Sequence, residues 1–180
     1  MSSSACFDKK QRFWVWETLE MAETLTENHF QVDLEDSEKF PYDLQTLAYL
    51  KGMEKTHRAL AQICKYEYRK KHFPLANEGK EFYRICLQDD KILGLAQADG
   101  FPLLKPLLLY VITHELIHVV RFSMDPQKFH LEPKDKGQEE ADVHRMTYEL
   151  LRVFKDPKVE VLLERYRPWW GPGQPPEPTG

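Results

Sequence analysis

The stretch Tyr110-Val111-Ile112-Thr113-His114-Glu115-Leu116-Ile117-His118-Val119-Val120-Arg121-Phe122 places two histidines and a glutamate inside an apolar run. With Leu107, Leu108 and Leu109 before it, a helix built from this stretch is apolar on nearly every side. Such a helix belongs in the interior of a fold. Pro102 and Pro106 stand at its entrance, where proline is tolerated. The run is short for a membrane span and is interrupted by ionisable groups. Buried imidazoles and a buried carboxylate cost free energy unless something satisfies them. His114 and His118 lie four residues apart, so on a helix they share one face. That places both rings to hold one Zn²⁺ ion. Glu115 sits beside such an ion without facing it, and suits the role of general base on a metal-bound water. The plainer alternative is a hydrogen-bonded histidine pair in a core.

The chain has 180 residues, enough for one domain with a substantial core. Hydrophobic residues make up 42% and charged residues 30%, the balance of a soluble globular protein. A formal net charge of −4 argues against nucleic acid as a partner. Cys6, Cys64 and Cys86 are odd in number and widely spaced, which points to a reducing compartment and no disulfide framework. The first residues show no basic region followed by an apolar stretch, so we expect a cytoplasmic location and no membrane partner. We expect a single domain over residues 1–168 and a Pro/Gly-rich tail over 169–180 that contains Trp170.

Periodicity predicts an amphipathic helix over residues 9–28, with Phe13, Trp14, Trp16, Leu19 and Leu25 on its apolar side. A second, long helix is predicted from Asp43 to about Lys70, because Leu44, Leu47, Leu50, Met53, His57, Leu60 and Cys64 recur at spacings of three and four. That reading turns His57 toward the core. Residues 82–87 and 91–96 read as two strands joined by a turn at Gln88-Asp89-Asp90. Residues 123–137 read as a long loop that roofs a cleft. A helix is predicted over residues 138–154. Asp156-Pro157 then starts a last helix that reaches about Arg167. The fold class expected is α+β: mostly helical, with a small hairpin or sheet beside the metal helix.

With two histidines from the motif, a zinc hydrolase needs a third ligand and keeps one open position. The acidic stretch Glu139-Glu140-Ala141-Asp142-Val143-His144 supplies the candidates. At this point the chain resembles the zincin metallopeptidases of the gluzincin type, in which an H-E-x-x-H helix is followed by a second helix that donates a glutamate. The resemblance covers residues 80–155. Carried over, it makes His114 and His118 metal ligands and Glu115 the catalytic glutamate. Glu140 becomes the third ligand, with Glu139 and His144 as alternates. Gluzincins often place an aspartate four residues after the ligand glutamate. Here that position holds His144, which shares a helix face with Glu140 and is thus also a candidate ligand. The resemblance implies a zinc metalloprotease acting on a peptide or protein substrate. His130, His144, Tyr148 and Arg121 are candidate donors to the oxyanion.

Two other classes compete. Glu54-x-x-His57 and Glu115-x-x-His118, with Glu20 or Glu23 and Glu140, would suit a di-iron carboxylate oxidoreductase in a helix bundle. A non-catalytic binding protein would instead carry a closed, four-coordinate metal.

Overall fold

Asp8 starts the first helix. Its carboxylate accepts from the backbone N–H of Gln11 at 2.8 Å, and the Gln11 side chain accepts from the N–H of Asp8 at 2.9 Å. This reciprocal cap satisfies two otherwise orphaned donors. The helix, α1, spans Lys9–Phe30 and ends at Gln31 in the left-handed conformation, φ 54°. The helix is as predicted, but its buried face is not: Val15, Leu19 and Ala22 are buried, whereas Phe13 and Trp16 of the expected apolar side are exposed. The computed structural model describes residues 5–68, 80–98 and 103–167.

The segment predicted as one long helix is not helical. It contains strand β1 (Tyr42–Gln45), two short 3-10 turns at Leu47–Tyr49 and Gly52–Glu54, and strand β2 (Ala61–Tyr68). Leu44, Leu47 and Leu50 are buried, so their spacing did mark burial. It marked burial by a strand end and a turn, not by a helix face. Gly52 adopts φ +49°, a conformation that ends any right-handed helix there. His57 is exposed rather than core-facing.

Strand β3 (Lys80–Leu87) lies at the centre of a three-stranded sheet of order β1-β3-β2. It runs parallel to β1, pairing Leu44 with Ile85, and antiparallel to β2, pairing Ile63 with Ile85. Tyr83, Ile85 and Leu87 alternate into the main core. On the opposite face Cys86 packs with Leu47, Leu50 and Cys64, and Arg84 bridges Asp43 and Glu54. The three cysteines are free thiols.

Residues read as the second strand form helix α2 (Asp89–Ala98). The expected turn at Gln88-Asp89-Asp90 is the start of that helix. Asp89 is fully buried and accepts the backbone N–H groups of Phe7 and Leu47, both at 2.9 Å. The partner of β3 in the antiparallel pair is therefore β2.

Helix α3 (Leu104–Met124) follows, and Leu107 through Val120 are buried without interruption. By length and composition it could cross a membrane, with mean hydropathy 1.4, but 78% of that window is buried inside the protein. It packs against α1, α2, β2 and the two later helices, which explains why no side of it is polar. The predicted loop over 123–137 contains a 3-10 turn at Pro126–His130. Helix α4 (Pro133–Leu151) then starts at Pro133 rather than Gln138. Asp156 caps helix α5 (Pro157–Tyr166), accepting from the N–H of Lys158 at 2.8 Å. The architecture is α+β and mostly helical, with a small mixed sheet. The Pro/Gly-rich stretch 169–180 lies outside the described residues.

Candidate metal centre

Tyr110, His114, His118 and Phe122 stand four residues apart along α3 and share one face. Glu140 and His144 do the same on α4, which packs against that face. The imidazoles of His114 and His118 turn Nε2 toward each other at 3.2 Å. Each faces one oxygen of the Glu140 carboxylate, His114 at 3.3 Å and His118 at 3.2 Å. One atom from each of these residues lies within 4.8 Å of the others, a group that could hold a metal ion. Among the described residues it is the one such group.

The spacing fits a cation. A tetrahedral ion with bonds of about 2.0–2.1 Å sets its ligand atoms roughly 3.3 Å apart. Two facing imidazole nitrogens at hydrogen-bond distance are also poor company for each other unless a proton or a cation lies between their lone pairs. Nδ1 of His114 and Nδ1 of His118 are buried with no hydrogen-bond partner among the described residues. Ring orientation is instead held by packing. His118 stacks on Phe122 at 5.2 Å between centroids, and the His114 ring lies 4.3 Å from that of His144.

Without a metal, the charges are settled by burial and by Glu140. Burial opposes ionisation of Glu140, but hydrogen bonds from His114 and His118 outweigh it and hold the carboxyl far below the usual carboxylate range. Burial likewise opposes charging His118, and the hydrogen bond to Glu140 overrides it and raises its pKa. Glu115, itself buried, is pushed up, chiefly by burial. It has no hydrogen-bond partner among the described residues. The Glu140 side chain is 46% exposed and gives the centre its side toward solvent.

The two alternates for the third ligand are otherwise engaged. Glu139 is buried and held by the Arg121 fork, with Nε to Oε1 at 2.5 Å and Nη2 to Oε2 at 2.7 Å. Lys128, on the 3-10 turn after α3, adds a third contact at 3.3 Å. His144 shares a hydrogen bond of 2.6 Å between its Nδ1 and the hydroxyl of Tyr110. Burial, with help from the nearby His114, pushes its pKa down to about 3, so the ring is neutral.

The remaining candidates stand apart. Arg121, an expected oxyanion donor, is spent on Glu139. His130 is exposed and packs edge-on to Phe129. Tyr148 packs at the margin of the main core. Glu54 is bound by Tyr66 at 2.5 Å and Arg84 at 3.0 Å, and His57 is exposed, so neither joins the centre. Glu23 pairs with Tyr42, and Glu20 is exposed. The helix arrangement a di-iron site requires is thus missing where Glu54 and His57 were to supply it.

Sequence reasoning missed Tyr110. The signal was present, since Tyr110 precedes His114 by the same four residues that separate His114 from His118. No family model, no curated protein and no solved structure matches this chain.

Proposed function

We propose that this chain is a zinc-dependent hydrolase of the metallopeptidase type, with His114, His118 and Glu140 as ligands and Glu115 as general base. The observation that carries the reading is two imidazole nitrogens 3.2 Å apart with one carboxylate set against both, one oxygen toward each ring at 3.2–3.3 Å, three residues that leave room for a fourth ligand on a tetrahedral ion. Two imidazoles and a carboxylate are a donor set that zinc takes in hydrolases. When bound, zinc polarises a carbonyl and lowers the pKa of a coordinated water toward about 7.

The chain's own residues do the rest. Glu140 brings one negative charge to the centre and presents it between the two rings. Glu115 follows His114 directly on the same helix, with its carboxylate committed to no neighbour. It takes the proton of the attacking water and returns it to the leaving amine, as a general base turned general acid. The surrounding leucines, isoleucines and valines of α3 exclude bulk water and strengthen every electrostatic interaction inside. A peptide bond is the substrate that the motif and the acidic second helix together suggest.

The test combines metal content with cleavage profiling of whole-proteome peptide mixtures. We expect one zinc per chain, cleavage by the wild type, and a Glu115→Gln variant that retains zinc but cleaves nothing. Full cleavage by Glu115→Gln removes the base assignment. A wild type that holds no divalent metal removes the reading altogether.

A further inference from the structure

We propose that Tyr110 is a positioning residue that keeps the metal centre open by holding His144 outside the coordination shell. This rests on the hydrolase reading above and concerns how that site stays available to substrate. His144 follows Glu140 by one helical turn on the same face of α4, and its ring centroid lies 4.3 Å from that of His114. It is the next nitrogen-bearing side chain beside the three donors. Were it to join them, the shell would hold three histidines and a glutamate, with four protein ligands and no corner for water. That closed form belongs to structural zinc, not catalytic zinc.

The hydroxyl of Tyr110 ties the His144 ring down where neither of its nitrogens is in the group of three donors. It is 2.6 Å from His144 Nδ1, and both side chains are buried. The Tyr110 ring is itself fixed, because it stacks on Tyr166 of α5 at 4.5 Å and 16° between planes. The hydroxyl therefore does not follow His144 if that ring swings toward the metal. A short hydrogen bond in apolar surroundings, anchored at one end by a stacked ring, sets the orientation of the imidazole. The nitrogens of His144 accordingly stay out of the group formed by His114, His118 and Glu140. Tyr110 thus decides whether His114, His118, Glu140 and His144 build an open or a closed centre.

Cobalt tests this without reference to activity. Co²⁺ is loaded into the full chain, its visible absorption recorded, and azide added as a small anion that can enter a vacant ligand position. The wild type should take one Co²⁺ and its bands should shift with azide. Tyr110→Phe keeps the ring and its stack on Tyr166. Its Co²⁺ bands should differ from the wild type and the azide shift should be lost. Tyr110→Phe with His144→Ala should recover the shift. His144→Ala alone should keep the azide shift, since the position stays open. The proposal is overturned if Tyr110→Phe keeps the wild-type spectrum and azide response, or if His144→Ala alone loses the azide shift. A wild type that takes no Co²⁺ sinks the metal reading itself, a different result from either.

Discussion

Arg121 and Glu139 meet in a two-point ion pair that ties α3 to α4 next to the metal centre. Arg121 lies just beyond His118, and Glu139 directly precedes Glu140. The pair therefore fixes the axial register at which Glu140 meets the two imidazoles. Its charges are mostly withdrawn from water, with side-chain exposures of 19% and 6%. Burial opposes ionisation of Glu139, yet the fork from Arg121 outweighs it and lowers its pKa.

Breaking that pair from one side should be costly. Arg121→Met leaves a buried carboxylate with only Lys128 near it, and should destabilise the fold by about 3 kcal/mol. Replacing both partners, Arg121→Met with Glu139→Leu, should recover most of the loss, since two apolar groups leave no uncompensated charge. Urea unfolding of the single and double variants measures this. A double variant no more stable than the single one would show that the pair is not the source of the effect.

Metal removal should be felt as stability. A ligand held by the native state alone stabilises it by about 2.7 kcal/mol at a concentration of 100 times its Kd. Melting temperature should therefore rise with added zinc and fall with a chelator. Glu140→Gln weakens one of the three proposed ligands and should lower zinc affinity by more than about 100-fold, beyond the loss typical of outer contacts. Chelator competition gives the affinity. An unchanged value for Glu140→Gln would move the third ligand elsewhere.

Glu54 predicts a particular pH dependence. Its carboxylate accepts from Tyr66, Arg84 and the Lys51 N–H, and is buried. The Tyr66 hydroxyl, then the Lys51 N–H and Arg84, lower its pKa below 4.5 against the effect of burial. A carboxylate with a lowered folded pKa stabilises the fold above its unfolded pKa, and that contribution is lost as pH falls through the folded value. The stability gap between wild type and Glu54→Gln should therefore be widest near neutral pH, at roughly 1–3 kcal/mol. It should narrow below pH 4.5. Denaturation at a series of pH values reads it, and a gap that grows in acid contradicts the assignment.

Asp89 should behave as a structural anchor. Its two oxygens each accept one buried backbone N–H, from Phe7 and from Leu47. Asparagine offers one acceptor where two are needed, so Asp89→Asn should cost about 1–3 kcal/mol. Zinc affinity should not change, because Asp89 belongs to the opening of α2 and not to the α3–α4 face. A variant of wild-type stability would mean that the N–H groups find other acceptors.

The fold was legible where a pattern had one physical reading. The apolar run around His114 is too continuous for a surface helix, and α3 is buried on all sides. Asp156-Pro157 starts a helix for reasons confined to a few residues, and α5 begins there. The readings failed where apolar spacing served two geometries. Leu44, Leu47 and Leu50 are buried at helical intervals, yet they belong to a strand and a turn. Ile92-Leu93-Gly94-Leu95 is a short apolar run that fits a strand or a helix equally. It is a helix, and Asp89 at its start is held by Phe7 and Leu47, partners that are far away in the chain.

The sequence alone determined that His114 and His118 share a face with Glu115 between them, because helix periodicity fixes that within four residues. It also determined that a buried helix, apolar on nearly every side, carries them. Tertiary structure alone brought Glu140, rather than Glu139 or His144, against the two imidazoles. These neighbours on one helix differ in what they meet across the interface: Arg121 for Glu139, the two imidazoles for Glu140, and Tyr110 for His144. Which side chain faces the imidazoles is set by partners that lie on another helix, and no local pattern records where that helix packs.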